Sequence, residues 1–210
     1  MVLFNIPLTT PLCGVGAKEG WIVNADPRML LLLSYYRDAE LRGANLLFRL
    51  MSHLDDADSQ VKLSLHLADE TRHAWLWTKR ITDLGGAPTK VADGYQTRIG
   101  LRVVPRNLID ILALTVVVEE RSYQRYTEHA NRPDVDAETL AVLNEVTKDE
   151  KWHIAWIKGK LEELAAVEGI ADRMHEALAR YREIDRHVYA ELLEKERATF
   201  ATPASAALAV

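Results

Sequence analysis

The sequence predicts an all-α fold, in which four long helices form a bundle, a long crossover joins the second helix to the third, and an additional helix follows at the C-terminus. The composition fits helices, because the 210 residues are 48% hydrophobic and 27% charged, with only ten glycines and seven prolines. A phrase of the form Asp-Glu-x-x-His also occurs twice, at Asp69–His73 and Asp149–His153, and each copy follows a glutamate by 30 positions, Glu40 and Glu120. Residues at i and i+3 share one face of a helix, so each phrase can turn a carboxylate and an imidazole toward one point.

The first two predicted helices form a hairpin. The first begins between Asn24 and Pro27, where Asn24 or Asp26 can cap it, and runs to about His53. One of its faces is apolar except for Glu40. The second runs over about 57–84, from the turn at 55–59 to Gly85-Gly86. The glycine- and proline-containing stretch 85–105 then serves as the crossover.

The second half repeats this plan and then departs from it. A third helix is predicted over about 107–130 and a fourth over about 136–167, separated by the turn at 131–134. A strongly charged fifth helix over about 171–200 should pack outside the four-helix core. The predicted division is a tail at 1–26, a di-metal bundle at 27–168, an appended helix at 169–200 and a disordered tail at 201–210.

The spacing of the glutamates along the chain predicts that the two phrases form one site. Residues equidistant from the turn of a helical hairpin lie at one height, and the midpoints of the two glutamate pairs are residues 55 and 135, both within predicted turns. Fifteen residues at 1.5 Å each place every glutamate about 22 Å from its turn. All four carboxylates should therefore meet in the middle of the bundle.

Such a site would be a di-metal centre. The predicted ligands are carboxylates and imidazoles only, which suits iron or manganese better than copper or a structural zinc. We expect two iron ions, Fe2+ or Fe3+, with manganese as the alternative. Isolated buried carboxylates carry a heavy desolvation cost, which two divalent cations would offset. The predicted ligands are Glu40, Glu70, His73, Glu120, Glu150 and His153.

These residues resemble the ferritin-like di-iron carboxylate superfamily, which includes rubrerythrins, bacterioferritins and oxygen-activating hydroxylases. Its pattern is a glutamate from each of two helices and Glu-x-x-His from each of the other two, and the resemblance covers about residues 28–167. It implies that Glu70 and Glu150 bridge the metals and that His73 and His153 each bind one metal. Glu119 is a rival to Glu120, because only one of two neighbours can face inward; the 80-residue offset favours Glu120.

Three further expectations concern the surroundings of the site. A metal-bound histidine needs an acceptor for its other ring nitrogen, so Asp149 should hold His73 and Asp69 should hold His153, unless these aspartates simply face solvent. Tyr123 lies one turn beyond Glu120 and could hydrogen-bond a ligand or pass an electron, which makes it the candidate catalytic residue. Its counterpart, Gly43, could leave room for oxygen or substrate. For both positions plain helix packing is the alternative.

Other aromatic residues near the phrases are assigned to packing. His66 lies one turn before Glu70 and is interpreted as a core or pocket histidine rather than a ligand. Trp75, Trp77, Trp152 and Trp156 are likewise interpreted as packing residues rather than an electron route.

The bulk composition excludes several classes of protein. A net charge of −5 with intermixed signs shows no basic stripe for nucleic acid. The single cysteine, Cys13, excludes an intrachain disulfide and suits a reducing compartment, so we expect a cytoplasmic protein. The apolar N-terminal stretch lacks a basic n-region, and no apolar run is long enough to span a membrane. A homodimer is possible on these grounds.

The expected function is that of an oxidoreductase whose di-iron centre activates dioxygen or peroxide, as in monooxygenases or peroxidases. An oxygenase would need an external electron donor, because one cysteine cannot hold an iron–sulfur or rubredoxin-type centre. The alternative is an iron-binding ferroxidase for iron handling or storage. A third hypothesis is a structural or interaction protein whose metal ions only stabilise the bundle. The organic substrate stays open.

Overall fold

The computed structural model describes residues 26–201, with side chains to residue 198, and all regular secondary structure in this part of the chain is helical. The six helices are α1 (Pro27–Leu50), α2 (Ala57–Asp83), α3 (Tyr95–Arg102), α4 (Leu108–Ala130), α5 (Ala137–Glu168) and α6 (Ala171–Ala201). The prediction of an all-α fold is confirmed. The N-terminal tail, Cys13 and the last residues lie outside the described residues.

Short polar side chains define where the long helices begin. Asp56 accepts a hydrogen bond from the Ser59 backbone N–H, and Asp136 accepts one from the Thr139 backbone N–H. These caps satisfy backbone donors that the first helical turn leaves unpaired. They place the two hairpin turns at the positions that the sequence predicts. Gly169 ends α5 in the left-handed conformation, with φ of 65°, which glycine adopts without a Cβ penalty.

The two hairpins, α1 with α2 and α4 with α5, form the bundle and run in opposite directions. One apolar cluster joins the end of α1 to the beginning of α4, through residues such as Leu50 and Leu112. A second joins the beginning of α1 to the end of α4, through Leu33 and Tyr126. The turns therefore lie at opposite ends of the bundle. This explains the long crossover, because the chain must travel the length of the bundle between α2 and α4.

The crossover contains a helix that the sequence did not predict. Two turns of α3 are fixed by tertiary contacts, since Tyr95 donates a hydrogen bond of 2.7 Å to Asp185 on α6. Arg98 and Arg102 pair with Glu191, also on α6. The last helix thus packs against α4 and fastens the crossover to it.

None of the described helices combines the length and apolarity needed to cross a membrane.

Candidate metal centre

Six acidic and imidazole side chains from four helices meet between the two apolar clusters. They are Glu40 on α1, Glu70 and His73 on α2, Glu119 on α4, and Glu150 and His153 on α5, and all six are buried. On α2 and α5 the spacing i to i+3 turns each carboxylate and imidazole inward together. The result is a polar cluster inside an otherwise apolar bundle.

These six residues, together with the neighbouring His66, form two groups that could each hold a metal ion. One consists of Glu40, Glu70, His73 and Glu150, and the other of His66, Glu70, Glu119 and His153; within each, the possible ligand atoms lie within 4.8 Å of one another. Glu70 belongs to both groups. In the first, His73 Nδ1 is 3.6 Å from Glu40 Oε2 and 3.8 Å from Glu150 Oε1. In the second, His153 Nδ1 is 3.6 Å from Glu70 Oε1.

The hydrogen-bonding state of these atoms fits a di-metal centre. Glu70 Oε1, both Glu150 carboxylate oxygens and the Nδ1 atoms of His73 and His153 are buried without a hydrogen-bond partner in the structure. Buried polar atoms are normally paired, because an unpaired one loses its hydration without compensation. Here the unpaired atoms converge on one space, and all of them are metal-ligand types. Carboxylate and imidazole donors suit iron or manganese.

On α4 the structure corrects the sequence prediction, because Glu119 faces the cluster and Glu120 does not. Glu119 is only 4% exposed, whereas Glu120 lies on the outer side of α4 and pairs with Arg182 of α6 at 2.9 Å. The reason is that α6 covers one side of α4, while among the described helices none covers α1 to the same extent. The residue 80 positions after Glu40, Glu120, therefore does not face inward as Glu40 does. The run Val116–Val118 before Glu119 is buried on all sides, so helical periodicity could not choose between the neighbours.

Each histidine of the twin phrases is held by the aspartate of the opposite phrase. Asp149 Oδ2 lies 3.2 Å from His73 Nε2, and Asp69 Oδ2 lies 3.3 Å from His153 Nε2. This is the crossed arrangement expected from the sequence. It leaves both Nδ1 atoms facing the cluster. Arg72 contacts both aspartates and ties the two phrases together, a role that sequence reasoning missed.

Gly43 has a different role from the expected opening for substrate. A Cβ atom at this position would lie 2.2 Å from Glu70 Oε2 and 3.2 Å from Glu70 Cδ. The space beside Gly43 is therefore filled by the Glu70 carboxylate. Any larger residue at this position would force the Glu70 carboxylate to shift.

The tyrosine beside the cluster is Tyr126 rather than the predicted Tyr123. Tyr123 is half-buried, and the contact found for its ring is with Lys151, whose Nζ is 5.9 Å from the ring centroid. Tyr126 donates a hydrogen bond to Glu40 Oε1, and Trp77 donates another to the same oxygen at 3.3 Å. Tyr126 lies seven residues, or two turns, after Glu119. That spacing could have revealed it had Glu119 been recognised as the inward residue.

Burial and crowding perturb the carboxylates strongly. Burial raises the pKa of Glu70, and the charges of Glu119 and Glu40 raise it further, to about 8. Burial and the charges of Glu119, Glu40 and Glu70 also raise the pKa of Glu150 well above its ordinary value. For Glu119, burial acts to raise the pKa, but His66 and His153 outweigh it and lower the pKa to about 2. Without cations, the four carboxylates therefore do not all ionise together.

The imidazoles respond to the same environment in opposite directions. Burial lowers the pKa of His73, but Glu40 and Glu70 outweigh that effect and raise it to about 9. Burial and the nearby His66 lower the pKa of His153 to about 4. Burial also acts to lower the pKa of His66, whereas Glu119 and Glu70 raise it to about 9. Without metal ions, protons on some of these side chains thus supply part of the positive charge that metal ions could supply.

A small cavity lies beside the cluster on the side of α3 and α6. Its volume is about 20 Å³, and its lining includes Tyr36, Tyr95, Arg125 and Tyr126. A volume of this size holds one water-sized molecule. Tyr126 lines this cavity and also donates the hydrogen bond to Glu40.

Comparisons with known proteins agree with this architecture. No protein-family model and no curated protein sequence matches the chain. Among solved structures, the chain is similar to the bacterioferritin-related protein from Bacteroides fragilis, described as a dodecameric thioferritin, with a TM-score of 0.59 and 21% sequence identity. The match covers 70% of this chain and 95% of that one. The fold is ferritin-like. One long crossover connection is typical of ferritin-like folds, and here it is the segment between α2 and α4.

Proposed function

We propose that this protein is a di-iron oxidoreductase that reacts with dioxygen or peroxide. The observation that carries the proposal is the set of unpaired, buried carboxylate and Nδ1 atoms that converge between the four helices. Glu40 and His73 would hold one iron, and Glu119 and His153 the other. Glu70 and Glu150 would lie between them. When bound, the two irons would supply the redox chemistry, and the protein would supply their position and a dry cavity.

The surrounding residues support small reactants at this site. Trp77 and Tyr126 hold Glu40 by two hydrogen bonds, which fixes one terminal carboxylate. Asp69 and Asp149 orient the two histidines so that Nδ1 faces inward. The cavity beside Tyr126 has room for one water-sized molecule, which limits any reactant held there to a very small one. Oxygenase turnover would require a separate protein as electron donor.

The experiment is anaerobic loading with ferrous iron followed by exposure to oxygen. We expect two irons per chain, oxygen uptake, and the near-ultraviolet absorption of an oxidised di-iron centre. Glu119→Gln should lose this absorption, whereas Glu120→Gln serves as the matched control and should keep it. A protein that binds no iron, or that keeps ferrous iron without consuming oxygen, would contradict the proposal.

The second candidate function is iron oxidation for storage or delivery. It is favoured by the similarity to a protein described as a dodecameric thioferritin. A store for a mineral core needs a closed shell of many subunits, so the assembly state separates the two functions. Light scattering of the purified protein would favour storage if it gave a particle of about twelve chains. A monomer or dimer would favour the oxidoreductase.

A further inference from the structure

His66 is a third buried imidazole beside the cluster. It lies on α2 one turn before Glu70, and its Nε2 atom is 3.4 Å from Glu70 Oε1 and 3.4 Å from Glu119 Oε1. Nε2 is buried and has no hydrogen-bond partner in the structure. The counterpart of His66 in the second hairpin is Val146, so only one half of the site has this residue. By distance alone, His66 could be taken for a third histidine ligand.

The other side of the ring argues against coordination. Trp156 Nε1 donates a hydrogen bond of 3.1 Å to His66 Nδ1, and both side chains are buried. In the metal-loaded site, where cations would neutralise Glu70 and Glu119, the ring is neutral; an indole nitrogen is a donor only, so Nδ1 must accept and carries no proton. The proton of the imidazole is then on Nε2, the atom that faces the two carboxylates. A ring nitrogen that carries a proton has no lone pair for a metal ion.

The contrast with the other two histidines is direct. His73 and His153 each present Nε2 to an aspartate, which is an acceptor, and Nδ1 to the cluster. This is the usual arrangement for a metal-bound histidine, whose remote N–H needs an acceptor. At His66 the remote nitrogen meets a donor instead. An acceptor beside the remote nitrogen suits a metal ligand, as at His73 and His153, whereas a donor there, as at His66, does not.

We infer that His66 is a positioning residue, which Trp156 holds with its proton on Nε2 so that this N–H points at Glu119 and Glu70. This inference rests on the proposed di-metal function. The centre then has two imidazole ligands rather than three. His66 steadies Glu119, as Trp77 and Tyr126 steady Glu40 on the opposite side. The ring stacks on His153 at a centroid distance of 3.6 Å, which limits its rotation away from the carboxylates.

The position of the proton on His66 can be measured directly. The full chain, labelled with 15N in its histidines, is loaded with zinc, a diamagnetic substitute for iron, and long-range 1H–15N correlation spectra give the protonated nitrogen of each ring. We expect the proton of His66 on Nε2, and metal-bound Nδ1 atoms in His73 and His153. A proton on Nδ1 of His66 with zinc at Nε2 would overturn the inference while leaving the di-metal site intact. If no zinc binds, both the inference and the proposed site fail.

Variants add a second readout, the zinc affinity measured by competition with a chelating dye. His66→Gln retains an N–H donor and should stay within a few-fold of the parent affinity, whereas His66→Leu should lose about ten- to one hundred-fold. In Trp156→Phe the constraint on Nδ1 is removed, so the His66 proton should move to Nδ1 when zinc is added. An unchanged affinity in His66→Leu would count against the positioning role of His66, and an unchanged proton position in Trp156→Phe would count against the role of Trp156 in holding that proton.

Discussion

Gly43 is the residue whose size most directly controls the site. A Cβ atom there would lie 2.2 Å from Glu70 Oε2, so Gly43→Ala must displace that carboxylate. We expect the variant to bind zinc at least about tenfold more weakly, a loss typical of disturbing metal-site surroundings. Helix propensity works in the other direction, because alanine stabilises a helix interior by about 1 kcal/mol relative to glycine. Titration calorimetry with zinc and thermal melting of the metal-free protein measure the two effects separately.

Gly159→Ala is the matched control for this substitution. Gly159 lies within α5, and an added Cβ there would meet open space. The change should give the same gain in helix propensity and leave zinc binding unaltered. Equal zinc affinities in the two variants would show that Glu70 does not depend on the space beside Gly43.

His129 should make the protein sensitive to acid. Burial and the charge of Arg132 lower its pKa from 6.5 to about 4. The folded state therefore resists protonation, so the corresponding stability is present above pH 6.5 and is lost as the pH falls toward 4. His129→Gln keeps an acceptor for the Tyr36 hydroxyl, which lies 3.1 Å from His129 Nδ1, but does not titrate.

Between pH 7 and pH 4, the free energy of unfolding should fall less in His129→Gln than in the parent protein. The difference should be on the order of 1–2 kcal/mol, after allowing for solvent screening near the end of the bundle. Urea unfolding of the metal-free proteins at the two pH values measures it. His175→Gln, at an exposed position on α6, should behave like the parent. Parallel pH profiles for all three proteins would contradict the assignment.

At the level of single residues, sequence reasoning succeeded where a short-range rule applied. The pairs Glu70 with His73 and Glu150 with His153 follow from helix periodicity, and both lie in the cluster. The prediction that Glu120 rather than Glu119 faces inward was wrong, because the inward residue depends on the rotation of α4 about its axis. That rotation is set by α6, through contacts such as Arg182 with Glu120 across 62 positions. No local pattern encodes such a contact.

At the level of elements, α6 holds the crossover through a buried ionic network. Asp185 on α6 accepts hydrogen bonds from Tyr95 on α3, at 2.7 Å, and from Arg121 on α4, at 2.6 and 2.8 Å. Asp185→Asn would leave the Arg121 guanidinium without its counter-charge in a mostly buried position. We expect a loss of about 3 kcal/mol in the free energy of unfolding, as for other broken buried pairs.

Chemical denaturation measures this loss, and an exposed ion pair provides the comparison. Asp83 pairs with Lys79 at 2.5 Å on the surface of α2, with side chains about half exposed. Asp83→Asn should cost less than about 1 kcal/mol. If the two substitutions had the same cost, the network at Asp185 would not fasten the crossover.

Helix α3 shows why some elements escape sequence reasoning. The long helices could be predicted because the residues that begin and end them act locally, as Asp56, Asp136 and Gly169 do. The two turns of α3 lie between glycines and prolines, and the N-cap position, Gly94, makes no side-chain capping bond. Its buried residues, Tyr95 and Ile99, contact elements far along the chain. An isolated helix of eight residues is unstable in water, so tertiary contacts decide its existence.

At the level of the whole molecule, the protein consists of two similar hairpins that differ in their surroundings. Corresponding helix ends on α1 and α4, and corresponding beginnings on α2 and α5, are 80 positions apart, which is why one site could be predicted from two phrases. The covering of α4 by α6 breaks the similarity, as does His66 opposite Val146. The candidate metal centre is therefore symmetric in its twin phrases and asymmetric in the residues that support them.

The same arrangement predicts that the centre limits the stability of the metal-free protein. Glu70 and Glu150 are buried, and burial raises their pKa values, so their charged forms oppose folding. Replacing both in Glu70→Gln/Glu150→Gln should raise the melting temperature of the metal-free protein above that of the parent. Adding metal should then stabilise the parent but not the variant. At a metal concentration about one hundred times the dissociation constant, the parent should gain about 2.7 kcal/mol.

Melting curves with and without manganese, which does not oxidise during heating, test whether the double variant is the more stable protein without metal and the parent gains more stability with metal. The parent should shift upward by roughly 5–10 °C at saturating metal, given the size of the chain. Glu120→Gln controls for the loss of a carboxylate outside the cluster and should shift like the parent, because its side chain pairs with Arg182. If the double variant gained as much from manganese as the parent, the cations would have to bind elsewhere. If instead it melted below the metal-free parent, burial of these two carboxylates would not oppose folding, and the prediction would fail.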